Sequence, residues 1–169
     1  MIRVKDITII AILAAILFIQ EQALMLLPNV QLTVLILIVY TKAIGVKKTI
    51  LIVLIHTILD NLLWGFDIRY FIPMLLGWLF IPFSLGTIFK KVEKPFTLAI
   101  LGILYAFIYS WLMAFPQLLI DKSVFITYLI GDIPFEIIFA ASSFATILWL
   151  YEPLKKVITN LETQYFGQK

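Results

Sequence analysis

Apolar residues run along this chain in long blocks, each closed by a short cluster of proline, glycine or charge. A hydrocarbon core about 30 Å thick needs roughly 20 apolar residues per helical crossing, and the blocks have that scale. They predict helical spans at about 6–27, 30–45, 48–66, 70–89, 96–118 and 124–151. Pro28-Asn29 turns the chain after the first span, and Gly45-Val46-Lys47-Lys48 closes the second. Gly65-Phe66-Asp67 ends the third, and Lys90-Lys91-Val92-Glu93-Lys94-Pro95 separates the fourth from the fifth. Beyond Pro153 the tail with Lys155, Lys156, Glu162 and the polar end Gln168-Lys169 is expected to continue as a surface helix. The first block follows Arg3 and Lys5 as a secretory signal would, but it lacks a small-residue cleavage pattern and exceeds a signal's apolar core, so a retained helix is expected. There is no internal repeat.

Composition agrees with the pattern. The 169 residues are 63% hydrophobic and 14% charged, with mean hydropathy +1.07, where a soluble domain is about 45–50% apolar and about 25% charged. The expectation is an all-α integral membrane protein, residues 1–169 forming a single six-helix membrane domain. With no cysteine, disulfides, thiol-attached haem and thiolate metal sites are excluded. The formal charge of +3 belongs to loop lysines in so apolar a chain and does not point to nucleic acid.

Charge also orients the chain. With the N-terminus inside, Arg3, Lys5, Lys42, Lys47, Lys48, Lys90, Lys91, Lys94, Lys155, Lys156 and Lys169 are cytoplasmic, leaving only Arg69 and Lys122 outside. That split favours six spans with both termini in the cytoplasm. Of the acids, Asp6, Glu93, Glu152 and Glu162 lie at the cytoplasmic edge, whereas Glu21, Asp60, Asp67, Asp121, Asp132 and Glu136 fall in the outer half. Six acids against two bases give that side a formal charge of −4. An ionisable group at mid-bilayer costs roughly 2.5–3.5 kcal/mol on insertion scales, so Glu21, Asp60, Asp132 and Glu136 need a cavity or a partner.

Helical spacing gathers these groups with others. His56, Asp60 and Trp64 recur every four residues on one face, with Asn61 beside them, and Asp132 and Glu136 are also four apart with Pro134 between. Gln20-Glu21-Gln22, then Asn29, Gln31 and Thr33, stand at the same level, as do Tyr105, Tyr109, Trp111 and Gln117 of the fifth span. Together they suit a flat polar molecule, its faces on rings and its edges on amides and carboxylates. The candidate substrate-binding set is Glu21, Asn29, Gln31, Asp60, Asn61, Trp64, Tyr109, Trp111, Asp132 and Glu136. A single Trp or Tyr here equally suits an interfacial aromatic belt, and His56 alone suits a helix-to-helix hydrogen bond better than a metal ligand. Nearer the cytoplasm, Ala11 and Ala15 with Ala14 alongside, and Ala140, Ala141, Ser142, Ser143 and Ala145, make smooth patches where another helix can approach closely.

No G-x-x-x-x-G-K-[ST], H-E-x-x-H or G-x-S-x-G pattern occurs, so uphill movement of a solute needs energy from a partner or a gradient. In size, topology, Ala11-x-x-x-Ala15, outer polar cluster and basic inner loops, nearly the whole chain resembles the substrate-binding S components of energy-coupling factor (ECF) vitamin transporters. The resemblance implies a plasma-membrane, multi-pass transport subunit of a prokaryotic cell, without ATPase activity or cofactor of its own, that takes up a water-soluble vitamin or precursor. It implies that Ala11, Ala14 and Ala15 dock a membrane coupling subunit joined by two cytoplasmic ATPase subunits. It also implies that the outer cluster binds the solute. The negative cluster argues against a strongly anionic vitamin unless Arg69 or Lys122 enters the pocket, and favours a neutral or cationic, donor-rich ring. Two other readings stand beside this one: a six-helix scaffold of the rod-shape-determining type that binds protein partners, and a membrane enzyme using Asp132 and Glu136.

Overall fold

The computed structural model describes the backbone over residues 4–166 and side chains over 6–164. Arg3, Lys5 and Lys169, counted above for orientation, and Gln168 of the polar end have side chains outside the described residues. Six helices follow one another: α1 (Val4–Leu24), α2 (Thr33–Ile44), α3 (Val46–Trp64), α4 (Ile68–Gly86), α5 (Pro95–Leu118) and α6 (Lys122–Phe166). The described residues contain no strand. Except at the end of α6, every helix end lies within three residues of its predicted position.

Four helices, α1, α4, α5 and α6, are long and apolar enough to cross a membrane. Large apolar side chains face outward along all of them, among them Ile12, Ile16, Ile72, Leu76, Leu104 and Ile137, as suits a bundle solvated by lipid. The other two helices differ for physical reasons. In α3, Lys47, Lys48 and Asp60 interrupt the apolar sequence. In α2 the limit is length, since 12 residues rise about 18 Å, little more than half of a bilayer core.

That short helix is the axis of the bundle. From Val34 to Tyr40 it is buried on every side, which explains why its sequence shows no polar face. The other five helices all touch it. Tyr40 reaches across to donate to the Leu13 carbonyl of α1 (3.2 Å). A single residue, Gly45, joins α2 to α3 at φ +89° and ψ 161°, a conformation that side chains resist, so the two helices reverse direction in minimal length.

The remaining helices pack around this axis. Gly102 of α5 lets Ile147 and Ser143 of α6 come close, and Ala140 is buried on the same stripe, so part of the predicted smooth patch on α6 packs α5. α6 runs 45 residues, about 67 Å, through Pro134 and Pro153. With α5 it forms a hairpin whose tip is tied by Phe115 and Phe125 (6.3 Å between rings) and lies beside Ile68 and Ile72 of α4.

At its far end α6 is held on the lysine-rich end of the bundle. Tyr151 and Lys155 both donate to Glu93 (3.1 and 2.6 Å), which also pairs with Lys42 of α2 at 3.4 Å. Burial raises the Glu93 carboxyl, but the Lys155 hydrogen bond and the two lysine charges outweigh it and hold the group below its usual value. Two turns further, Lys48 of α3 bridges Glu162 (2.9 Å) and Asp6 of α1 (3.2 Å). The predicted tail helix is thus a continuation of α6 laid across the ends of α1, α2 and α3, where Ile158 and Leu161 line one apolar cavity with Ile9, Leu13 and Ile44.

Candidate solute-binding site

Because α2 is short, the chain between α1 and α2 must descend into the bundle to reach its start. The descent is organised by Gln20 on α1. Its carbonyl accepts the Leu32 N–H (3.0 Å) and its amide donates to the Thr33 hydroxyl (2.8 Å), while that hydroxyl donates to Gln31 (3.0 Å). A helix start away from water leaves N–H groups that need partners, and one glutamine supplies part of that need from the neighbouring helix. Asn29 takes a positive φ of 56° at the turn, and its carbonyl is 3.4 Å from the Ser142 hydroxyl of α6.

Between this descending segment and α3 lies a cleft of about 280 Å³. Glu21, Gln22, Asn29, Gln31, Asp60 and Trp64 supply its polar and aromatic lining, and Leu24, Met25, Leu27, Pro28 and Val30 the rest. Five of the ten residues in the sequence-based substrate set are therefore on one cleft. Asp60 is only 7% exposed, and one of its oxygens receives the Gln22 amide at 3.2 Å. Glu21 sits against His56, with 3.1 Å between Oε2 and Nε2, but the approach is off the ring N–H direction and neither atom makes a hydrogen bond. His56 is fully buried behind the cleft, and its Nδ1 also has no partner among the described residues.

The other five sit elsewhere. Asn61 turns back into the bundle, donating to the Thr57 carbonyl (2.9 Å) and to the Met74 sulfur (3.4 Å). Tyr109 stacks on Trp78 with 3.9 Å between ring centres, and Phe139 meets both rings edge-on. Asp132 and Glu136, four residues apart, form a second polar group on α6. Glu136 is 4% exposed, lies beside Trp111 and leaves Oε1 without a partner, and Gln117 donates to the Tyr70 hydroxyl at 3.0 Å.

The small-residue face of α1 divides as well. Ala11 and Ala15 are exposed, next to exposed Ile12 and Ile16. Ala14 is completely buried, so it packs inside the bundle and is corrected out of the expected partner-binding set. Residue type singles out Asn29 and Gln31 of the 24–31 segment, but not Leu24, Met25, Leu27 and Val30, which line the same cleft, nor Trp78 behind Tyr109. A further sequence signal for the segment is the Pro28-Asn29 turn beside the polar run at 20–22.

Among the described residues no group of His, Asp and Glu is arranged to hold a metal ion. The cleft can instead receive a small polar molecule, near the lower end of the usual pocket range of about 300–1,000 Å³. Compared with protein-family models, curated proteins and solved structures, the chain matches none.

Proposed function

We propose that the protein is the high-affinity substrate-binding membrane subunit of an ECF-type importer, taking up a water-soluble vitamin or vitamin precursor. The observation that carries this reading is the recess lined by acids and amides at the head of the short central helix. A scaffold that only binds protein partners has no use for buried carboxylates around an open cleft, because each costs desolvation energy that a solute with matching donors can offset.

In this reading all six helices cross the plasma membrane. The lysine-rich end with Lys42, Lys48, Lys90 and Lys155 faces the cytoplasm together with both termini, and the cleft opens outward. The 25–32 segment fills the depth that α2 lacks, and Lys47 and Lys48 lie at the inner surface. Lacking a nucleotide-binding loop, the chain draws its energy from two ATPase subunits through a membrane coupling subunit docked on Ala11 and Ala15.

The two surfaces are separable by mutation. Asp60→Ala is expected to abolish solute binding while the subunit still assembles with its partners. Ala11→Trp or Ala15→Trp is expected to keep solute binding and abolish assembly and uptake, measured by pull-down and by uptake in cells. One common phenotype for both sets would overturn the two-surface reading.

A further inference from the structure

We infer that the solute is an organic cation carrying N–H donors, held by Glu21 and Asp60 with its flat body against Trp64. This rests on the solute-binding reading above and adds a charge class to it.

The charges lining the cleft are all of one sign. Glu21 and Asp60 are its ionisable residues, accompanied by Gln22, Asn29 and Gln31, and neither Lys nor Arg is among them. Both bases at this end are placed elsewhere. Arg69 is bound by its own neighbour, with Nε 3.0 Å from both Asp67 oxygens and Nη2 2.6 Å from Oδ2. Those hydrogen bonds hold the Asp67 carboxyl below its usual value, as a committed ion pair should. Lys122 begins α6 at the hairpin tip, outside the lining. The positive contributions that remain are His56, whose Nε2 lies 3.1 Å from Glu21, and the start of α2 beyond Gln31; even with His56 counted as a full charge and the helix end as about half of one, two carboxylates outweigh them. The recess is net negative.

Unused hydrogen-bonding capacity points the same way. Two carboxylates offer about eight lone-pair sites between them, and the cleft supplies Asp60 with one side-chain donor, Gln22. Glu21 Oε2 has none in line. Asp60 is more than nine-tenths buried and borders the empty space, so water serves it poorly and a charged N–H donor serves it well. Trp64, 63% exposed at the rim, offers the ring face that attracts a cation. An anionic solute would meet two carboxylates with no Lys or Arg in the lining.

The test uses the intact protein, purified in detergent and incubated with a protein-free extract of cells. After washing, the retained small molecules are released by denaturation and identified by mass spectrometry. The expected result is a cation with N–H groups, retained by the wild type and reduced at least about tenfold in Asp60→Asn and in Glu21→Gln. Size-exclusion profiles matching the wild type establish that both variants are folded, and either folded variant suffices. A retained neutral or anionic solute overturns the charge assignment and leaves the solute-binding reading standing. Retention of a cation undiminished in both folded variants overturns its placement on Glu21 and Asp60. No reproducible solute on the wild type overturns the binding reading and the charge class with it.

Discussion

A methyl group added at Gly77 would stand 2.7 Å from Cδ2 of Tyr109, a ring atom close to the backbone that cannot swing aside as a side-chain tip would. The ring is also held from its other face by Trp78 and on edge by Phe139. Gly77→Ala is therefore expected to cost about 1–3 kcal/mol, the usual range for overpacking, seen as a lower Tm in detergent. In a Tyr109→Ala background the same substitution should cost little, and that difference is the measurement that ties the loss to this contact. Residue identities made part of the site legible beforehand. Glu21 and Asp60 stand out in an apolar chain because lipid penalises them, and Trp64 follows Asp60 by one helical turn. Trp78 did not stand out, since its importance comes from Tyr109 and Phe139, which lie far from it in sequence and meet it only in the folded bundle. Nor could spacing distinguish Ala14 from Ala11 and Ala15, because a helix presents small residues to its own bundle and to a partner by the same rule.

At the scale of elements, α2 and α6 carry what is particular to this protein. The apolar block at 30–45 has nearly the length of a span, yet only Thr33–Ile44 is helical, because Gln20 draws the segment before it downward. The end of α6 shows the opposite effect. Polar residues after Pro153 predict departure from the membrane, but Lys48, bridging Asp6 and Glu162, decides where that segment lies. Lys48→Met is expected to release it. Partly exposed ion pairs contribute about 1 kcal/mol or less each, so amide exchange over residues 156–164 should quicken about fivefold while exchange in the middle of α5 stays as it is. Unchanged exchange would mean that Ile158 and Leu161, which line one apolar cavity with Ile9, Leu13 and Ile44, suffice to hold the tail.

For the whole molecule the testable property is orientation, and a chain without cysteine is well suited to it. Leu119 at the hairpin tip and Asn160 on the tail are both exposed, at opposite ends of the bundle. A membrane-impermeant maleimide is expected to label Leu119→Cys on intact cells and Asn160→Cys only after permeabilisation, and the reverse pattern would invert the proposed topology. The number of helices, their approximate limits and the separation of lysines from acids were determined by sequence alone. Hydropathy is a sum over neighbouring residues, and loop charge needs no knowledge of contacts. Tertiary structure alone decided that half of the candidate residues share a cleft while Asn61, Tyr109, Trp111, Asp132 and Glu136 lie outside it. The reason is that which polar side chains meet depends on how far α2 rises and how the helices rotate about it. Those quantities are set by packing between residues distant in the chain, such as Gln20 with Thr33 and Gly77 with Tyr109, and no local pattern encodes them.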